Sequence, residues 1–343
     1  MRSPKSFVVS VRCPDGSMAL REQPWEVLLA KLKFLRLPFL RGAVVLLESL
    51  HNGYSALMFS AEHGLPPEEQ GKKPAKPSVT TLLALAALAA DGVGDAPPPA
   101  GESKAQPGTT WILVLSTAFA MGLFVGLPHL LTLLVGRAFD GGLDTQSFLF
   151  HLVDGVFRLA ILLAYLVVLS KTDDAKRLFQ YHGAEHKAIW TYESEKPLLV
   201  EHARPFTTRH PRCGTSFLFV VVGVSVLVHL VLLPWVPRLA ENGLLNALLM
   251  VFVKIPLAFP IAGIAYEIQR LSAQPSCPRI ITWAARPGIW LQGITTQPPD
   301  DGQLEVALLS LDRALAREEG HPKGKEGVNL YPSFAAAQAA VAS

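Results

Sequence analysis

The sequence is short of charge. Asp, Glu, Lys and Arg make up 17% of its 343 residues, against about 25% in soluble globular domains, so a soluble fold wrapped in a charged surface is disfavoured. Cysteine is scarce as well. Cys13, Cys213 and Cys277 stand at unrelated spacings, which excludes a disulfide framework. The net charge of +3 is small and basic residues are not interleaved with aromatics, so no nucleic-acid partner is expected. No cleavable signal peptide is expected, since the first apolar run long enough to span a bilayer begins beyond residue 100.

Apolar residues fill the place of charge: half of the chain is hydrophobic and its mean hydropathy is +0.31. Four segments, at about 111–136, 147–170, 215–236 and 245–268, match or exceed the roughly 20 residues that cross a hydrocarbon core. Lys171, Lys176, Arg177, Lys187, Lys196, Arg204, Arg209 and Arg212 crowd the loop between the second and third segments, whereas the other two inter-segment loops offer Arg137 and Arg238. The positive-inside rule then places the middle loop and both termini in the cytoplasm. The expected fold class is an all-α membrane protein of the bacterial inner membrane, with four transmembrane helices, a cytoplasmic loop containing His and Cys, and a small N-terminal hairpin.

Six regions follow. Residues 1–62 hold a hairpin, from the alternation and Pro-Asp-Gly turn of SFVVSVRCPDGSMALR, and then an amphipathic or interfacial helix that carries Glu48, His51 and Asn52. Residues 63–110 are a flexible insert rich in Pro and Ala. Residues 111–170 carry the first two spans, 171–214 the cytoplasmic loop, and 215–268 the other two spans. Residues 269–343 form a cytoplasmic segment with a docking helix, capped by Asp300 or Asp301 and beginning near Gln303.

The middle loop contains YHGAEHKAIWTYE. His182 and His186 are four residues apart, so a helix stacks them on one face, and with Glu185 they read H-x-x-E-H. In one class of zinc peptidases this pattern supplies two metal ligands and a glutamate that activates water. HPRCGTS follows at the other end of the loop, adding His210 and Cys213. Three imidazoles and a thiol suit Zn²⁺. Four protein ligands would close the site as a structural one. Three would leave a position for water with Glu185 as base; His210, Cys213, Glu193 and Glu267 are the candidates for the third ligand. A charged surface helix explains the motif equally well. Cys213 also sits at a helix N-terminus beside Arg212, where a thiolate is favoured, so it is a candidate nucleophile too.

The spans carry polar residues that are costly in lipid and usually pair or line a site. His151, Asp154 and Arg158 share one face of the second span, and Lys254 and Glu267 lie in the fourth. Glu267, at the cytoplasmic end, is placed to complete a metal site. His129 and His229 stand alone in apolar runs and are expected to be packed or hydrogen-bonded.

Taken together and in order, RGAVVLLESL, YHGAEHKAI, HPRCGTSFL, AGIAYE and RPGIWLQGITT resemble the YqhQ-like family of bacterial membrane proteins, a family of unknown function described as predicted metal-dependent enzymes. The resemblance covers roughly residues 2–60 and 111–315. It implies that His182, Glu185, His186, His210, Cys213 and Glu267 belong to the family's polar signature, and that a Gly-rich segment like GGQAVIEGVM stands ahead of the MRSP that opens this chain. The expected function is a zinc-dependent hydrolase acting at the cytoplasmic membrane face on an unnamed substrate. The alternatives are a membrane scaffold with a structural zinc and, last, a transporter subunit built on Asp154, Arg158 and Lys254. The lipid bilayer and a second copy of the chain are the expected partners.

Overall fold

The computed structural model describes residues 1–3, 6–24, 37, 40–64, 115, 118–138, 143–211, 213–272, 274, 279–319 and 327–342. The expected insert at 63–110 lies almost wholly outside these residues, as do Arg212 and Cys277.

Four helices are long and apolar enough to cross a membrane: α2 (Ala118–Ala138, with a π turn at Gly122–Gly126), α3 (Phe148–Leu169), Ser216–Trp235, which is most of α6 (Gly214–Leu232) and the 3₁₀ turn after it, and α7 (Gly243–Ser272). Their packing is inverted relative to a soluble bundle. Val156, Leu227 and Phe252 point outward, each more than 60% exposed, while His151, Asp154 and Lys254 are buried between the helices. Hydrocarbon solvent favours this arrangement, because apolar side chains lose nothing by facing lipid and charges must find partners inside. Local signals set the ends. The Ser147 hydroxyl caps α3 by accepting from the Phe150 amide at 3.1 Å. The loops at that end are tied by Arg238 to Asp144 at 2.6 Å and by Asn246 to Thr145 at 2.9 Å.

The N-terminal strands β1 (Ser6–Arg12) and β2 (Met18–Pro24) pair antiparallel, Ser6 opposite Pro24 and Arg12 opposite Met18. Gly16 takes φ +85° in the connecting turn, a conformation open to glycine without strain, and Asp15 accepts from the Ser17 amide at 2.9 Å. A third strand, β3 (Gly327–Tyr331), joins the other edge of β2, so the sheet order is β1-β2-β3. The hairpin signal at residues 6–20 covers β1 and β2 alone, because the pairing of Glu22 with Gly327 joins distant parts of the chain and leaves no local signal.

The remaining helices place the middle loop. α1 (Leu40–Gly64) crosses α7 closely: a Cβ on Gly42 would lie 2.7 Å from Tyr266 Cβ and 2.9 Å from Gly263 Cα. α4 (Asp173–Glu193) starts with two acidic residues in its first turn, as the helix dipole favours. A short α5 (Val200–Ala203) follows. The C-terminal stretch holds more than one docking helix. α8 (Arg279–Thr295) packs against α6, with Gly288 against Ser216. α9 (Asp301–Glu318) is closed at its start by a capping box of Asp300 and Gln303. α10 (Phe334–Ala342) ends the described chain. α9 buries Leu304 and Leu308 against Ala184 and Ala188 of α4, and Val306 and Leu309 against Val8 and Leu20 of the sheet. Glu22 of β2, 1% exposed, receives Arg313 at 2.5 Å and Arg317 at 2.6 Å. The sheet, α9 and α4 therefore form one body at the end of the bundle where α3 ends and α6 begins.

Candidate metal centre

α4 is helical through YHGAEHKAIW, so His182 and His186 stack with ring centroids 4.5 Å apart. Each ring is held at its inner nitrogen by a backbone carbonyl. His182 Nδ1 lies 2.9 Å from the Thr295 oxygen, and His186 Nδ1 meets the Thr208 oxygen. A carbonyl only accepts, so both Nδ1 atoms carry the proton, and the Nε2 atoms are left to face a third group. That group is Cys213, immediately before α6: its Sγ is 3.1 Å from His182 Nε2. Among the described residues, one ligand atom from each of His182, His186 and Cys213 lies within 4.8 Å of the others.

The connecting segment is folded back over α4. Lys187 donates to the Arg204 carbonyl at 2.5 Å and Trp190 to the Arg209 carbonyl at 2.8 Å. Gln292 of α8, fully buried, accepts from the His210 amide at 2.7 Å and donates to the His210 carbonyl and the Ser216 hydroxyl, both at 2.8 Å. It thereby pins the turn that delivers Cys213. Gln292→Leu strands the His210 amide and carbonyl; a loss of about 1–3 kcal/mol of stability is expected, readable as a fall in the thermal midpoint of the detergent-purified protein.

The remaining candidates are placed as follows. His210 is buried beside Trp190, its ring centroid 5.8 Å from that of His186, and its Nε2 turns to Glu193 at 3.4 Å. Glu267 accepts from Arg41 of α1 at both carboxylate oxygens, Nε at 2.5 Å, with Arg270 also at 4.0 Å. Neither His210 nor Glu267 belongs to the group of three. Glu185 is exposed on α4 and close enough to act electrostatically on His182. A cleft of about 490 Å³ opens nearby, lined by Lys176, Arg177, Gln180, Tyr181 and Gln303 among others, but not by the two histidines or the cysteine.

Burial opposes charge at both His182 and Cys213, and each overrides it for the other. The imidazoles of His182 and His186 pull the Cys213 thiol down to about 5. The Cys213 thiolate, helped by Glu185, pushes His182 up to about 9. Without metal the pair is thiolate and imidazolium. The depressed thiol contributes stability that is lost as pH falls through about 5; the raised imidazole contributes stability that is lost as pH rises through about 9. Between the ordinary imidazole and thiol values, and above them, the loss at His182 is matched by the gain at Cys213. In chelator-treated protein the thermal midpoint is therefore expected to fall on the acid side, toward pH 5, and to stay level on the alkaline side, and Cys213→Ser to flatten the acid fall.

The donor set fits a zinc-type ion. Two nitrogens and a sulfur suit tetrahedral coordination, and both imidazoles meet backbone carbonyls at Nδ1, the second shell typical of ligating histidine. The partners that orient the site, the Thr295 and Thr208 carbonyls, Gln292 and Gly183, were not singled out in the sequence. A lone glutamine in the apolar run of RPGIWLQGITT was a readable signal. Backbone carbonyls leave none.

Fold and site together define a helical protein with four potential spans and a His–His–Cys cluster at one end of the bundle. Residues 37–317 match the family described as Protein of unknown function (DUF1385), and the chain belongs to that family. It is 31% identical over 318 residues to the uncharacterized protein YqhQ of Bacillus subtilis (strain 168), covering 91% of this chain and 87% of that protein. No solved structure matches it.

Proposed function

We propose that the chain is a zinc-dependent hydrolase of the bacterial inner membrane, with His182, His186 and Cys213 as its three ligands. One observation carries the reading: both imidazoles are locked at Nδ1 by backbone carbonyls while His182 Nε2 faces the Cys213 sulfur. A surface helix with two unrelated histidines has no reason to hold them so. Three ligands favour catalysis over a closed structural site, because the fourth candidate, His210, is engaged with Glu193. Zinc held there would polarise a carbonyl or phosphoryl oxygen and ease the deprotonation of water. Glu185 is the assigned base, on the same helix and exposed to solvent. The positive-inside rule places this end of the bundle, with both termini, on the cytoplasmic side, where a substrate reaches it from the cytosol or the membrane surface.

Elemental analysis of the detergent-purified chain tests the reading. Near-stoichiometric zinc is expected in wild type and in His210→Ala, and little in His182→Ala or Cys213→Ser that remain folded. A wild type free of metal, purified alongside a zinc protein that keeps its own, overturns the assignment. Loss of zinc in His210→Ala turns the site into a closed, four-ligand structural one.

A further inference from the structure

A second polar cluster lies inside the bundle, at the end remote from the cysteine. α2, α3, α6 and α7 bring together His129, His151, Asp154, Arg158, His229 and Lys254, each no more than 6% exposed. Asp154 receives Lys254 at 2.9 Å on one oxygen and Arg158 at 3.2 Å on the other. With neutral imidazoles, two cations face one carboxylate, an excess of one positive charge in an apolar surround. We infer that this cluster is a binding site for a small monoanion of the halide class.

The hydrogen bonds point the same way. Arginine only donates, so His229 Nδ1, 3.3 Å from Arg158 Nη1, must accept, and the His229 proton sits on Nε2. Lys254 likewise donates to His129 Nδ1 at 3.1 Å, which puts the His129 proton on Nε2. Among the described residues, neither Nε2–H has a hydrogen-bond partner, nor does Arg158 Nε–H, nor either ring nitrogen of His151. The Thr145 and Ala247 carbonyls lie near His151 and His129 without reaching hydrogen-bond geometry. Buried donors are costly unless paired. An excess cation beside unpaired N–H groups, with the one carboxylate already held on both oxygens, is the chemistry that takes an anion. A cleft of about 470 Å³ opens at this end of the bundle, lined by Arg137, Asp144, Thr145, Arg238, Glu241 and Asn246 among others.

Equilibrium dialysis of the detergent-purified full chain against radiolabelled chloride, with gluconate holding the ionic strength, tests the site. Saturable binding of about one chloride per chain is expected, displaced by bromide but not by gluconate. His151→Phe keeps the aromatic volume and removes a donor; affinity is expected to fall about tenfold, as for one lost hydrogen bond to a charged group. Lys254→Met removes the excess charge, leaves Asp154 paired with Arg158, and is expected to abolish binding. No saturable chloride on folded wild type means that the cluster holds water only and overturns the proposal. So does wild-type affinity in both variants, each shown to be folded by size exclusion.

Discussion

Asp154→Asn is expected to be among the most destabilising single changes in the bundle. The substitution keeps the shape and removes the one carboxylate that Lys254 and Arg158 share. Breaking a buried ion pair costs about 3–5 kcal/mol, because the surviving charge is left without compensation, and here two cations are left. Moving either to water is blocked by its position inside the bundle, where Lys254 is 3% and Arg158 6% exposed. The measurement is the yield of monodisperse protein after detergent extraction and its thermal midpoint. Lys254→Met placed on top of Asp154→Asn removes one stranded cation, and partial recovery is expected. If the double variant is no better than the single, the loss comes from something other than uncompensated charge.

Gly183→Ala is expected to disable the proposed metal centre without touching a proposed ligand. Gly183 sits between His182 and Ala184, where α4 meets the chain leaving α8. The Gln297 amide donates to the Phe179 carbonyl at 2.9 Å, and a Cβ on Gly183 would collide with the Gln297 carbonyl oxygen and press on Thr208 Cγ2 at 3.2 Å. The obstacle is backbone, so it yields only if residues 295–297 move off the helix. Thr295 is then displaced, and its carbonyl holds the His182 ring. Overpacking of this kind costs about 1–3 kcal/mol, and loss of an orienting partner lowers metal affinity by about 10–100-fold. Zinc content and the zinc dissociation constant of the folded variant are the readouts. Wild-type zinc affinity in Gly183→Ala would separate the close approach from the geometry of the centre.

Much of this architecture is local, and local features are legible in a sequence. Hydropathy and length mark four helices able to span, since those properties belong to each segment alone. The Pro-Asp-Gly turn marks the β1–β2 connection, and Asp300 with Gln303 marks the start of α9, because caps and turns are decided within a few residues. The i, i+4 spacing of His182 and His186 sets them on one face once a helix forms.

What the sequence alone does not decide is which side chains from different helices meet. His210, Cys213 and Glu267 fall at similar depth, yet Cys213 reaches His182 while Glu267 is taken by Arg41 and His210 by Glu193. His129 and His229, expected to be packed or hydrogen-bonded, are both, and the partners are Asp154, Arg158 and Lys254 from other helices. Those outcomes depend on the rotation of each helix about its axis and on where helices cross, which close approaches such as Gly42 on Gly263 and Gly288 on Ser216 set across long stretches of chain. The sequence by itself determined the segments, their caps and the polar groups each one carries. Only the tertiary structure decided their partners, because a hydrogen bond to a backbone carbonyl or an ion pair between helices depends on positions that no single segment encodes.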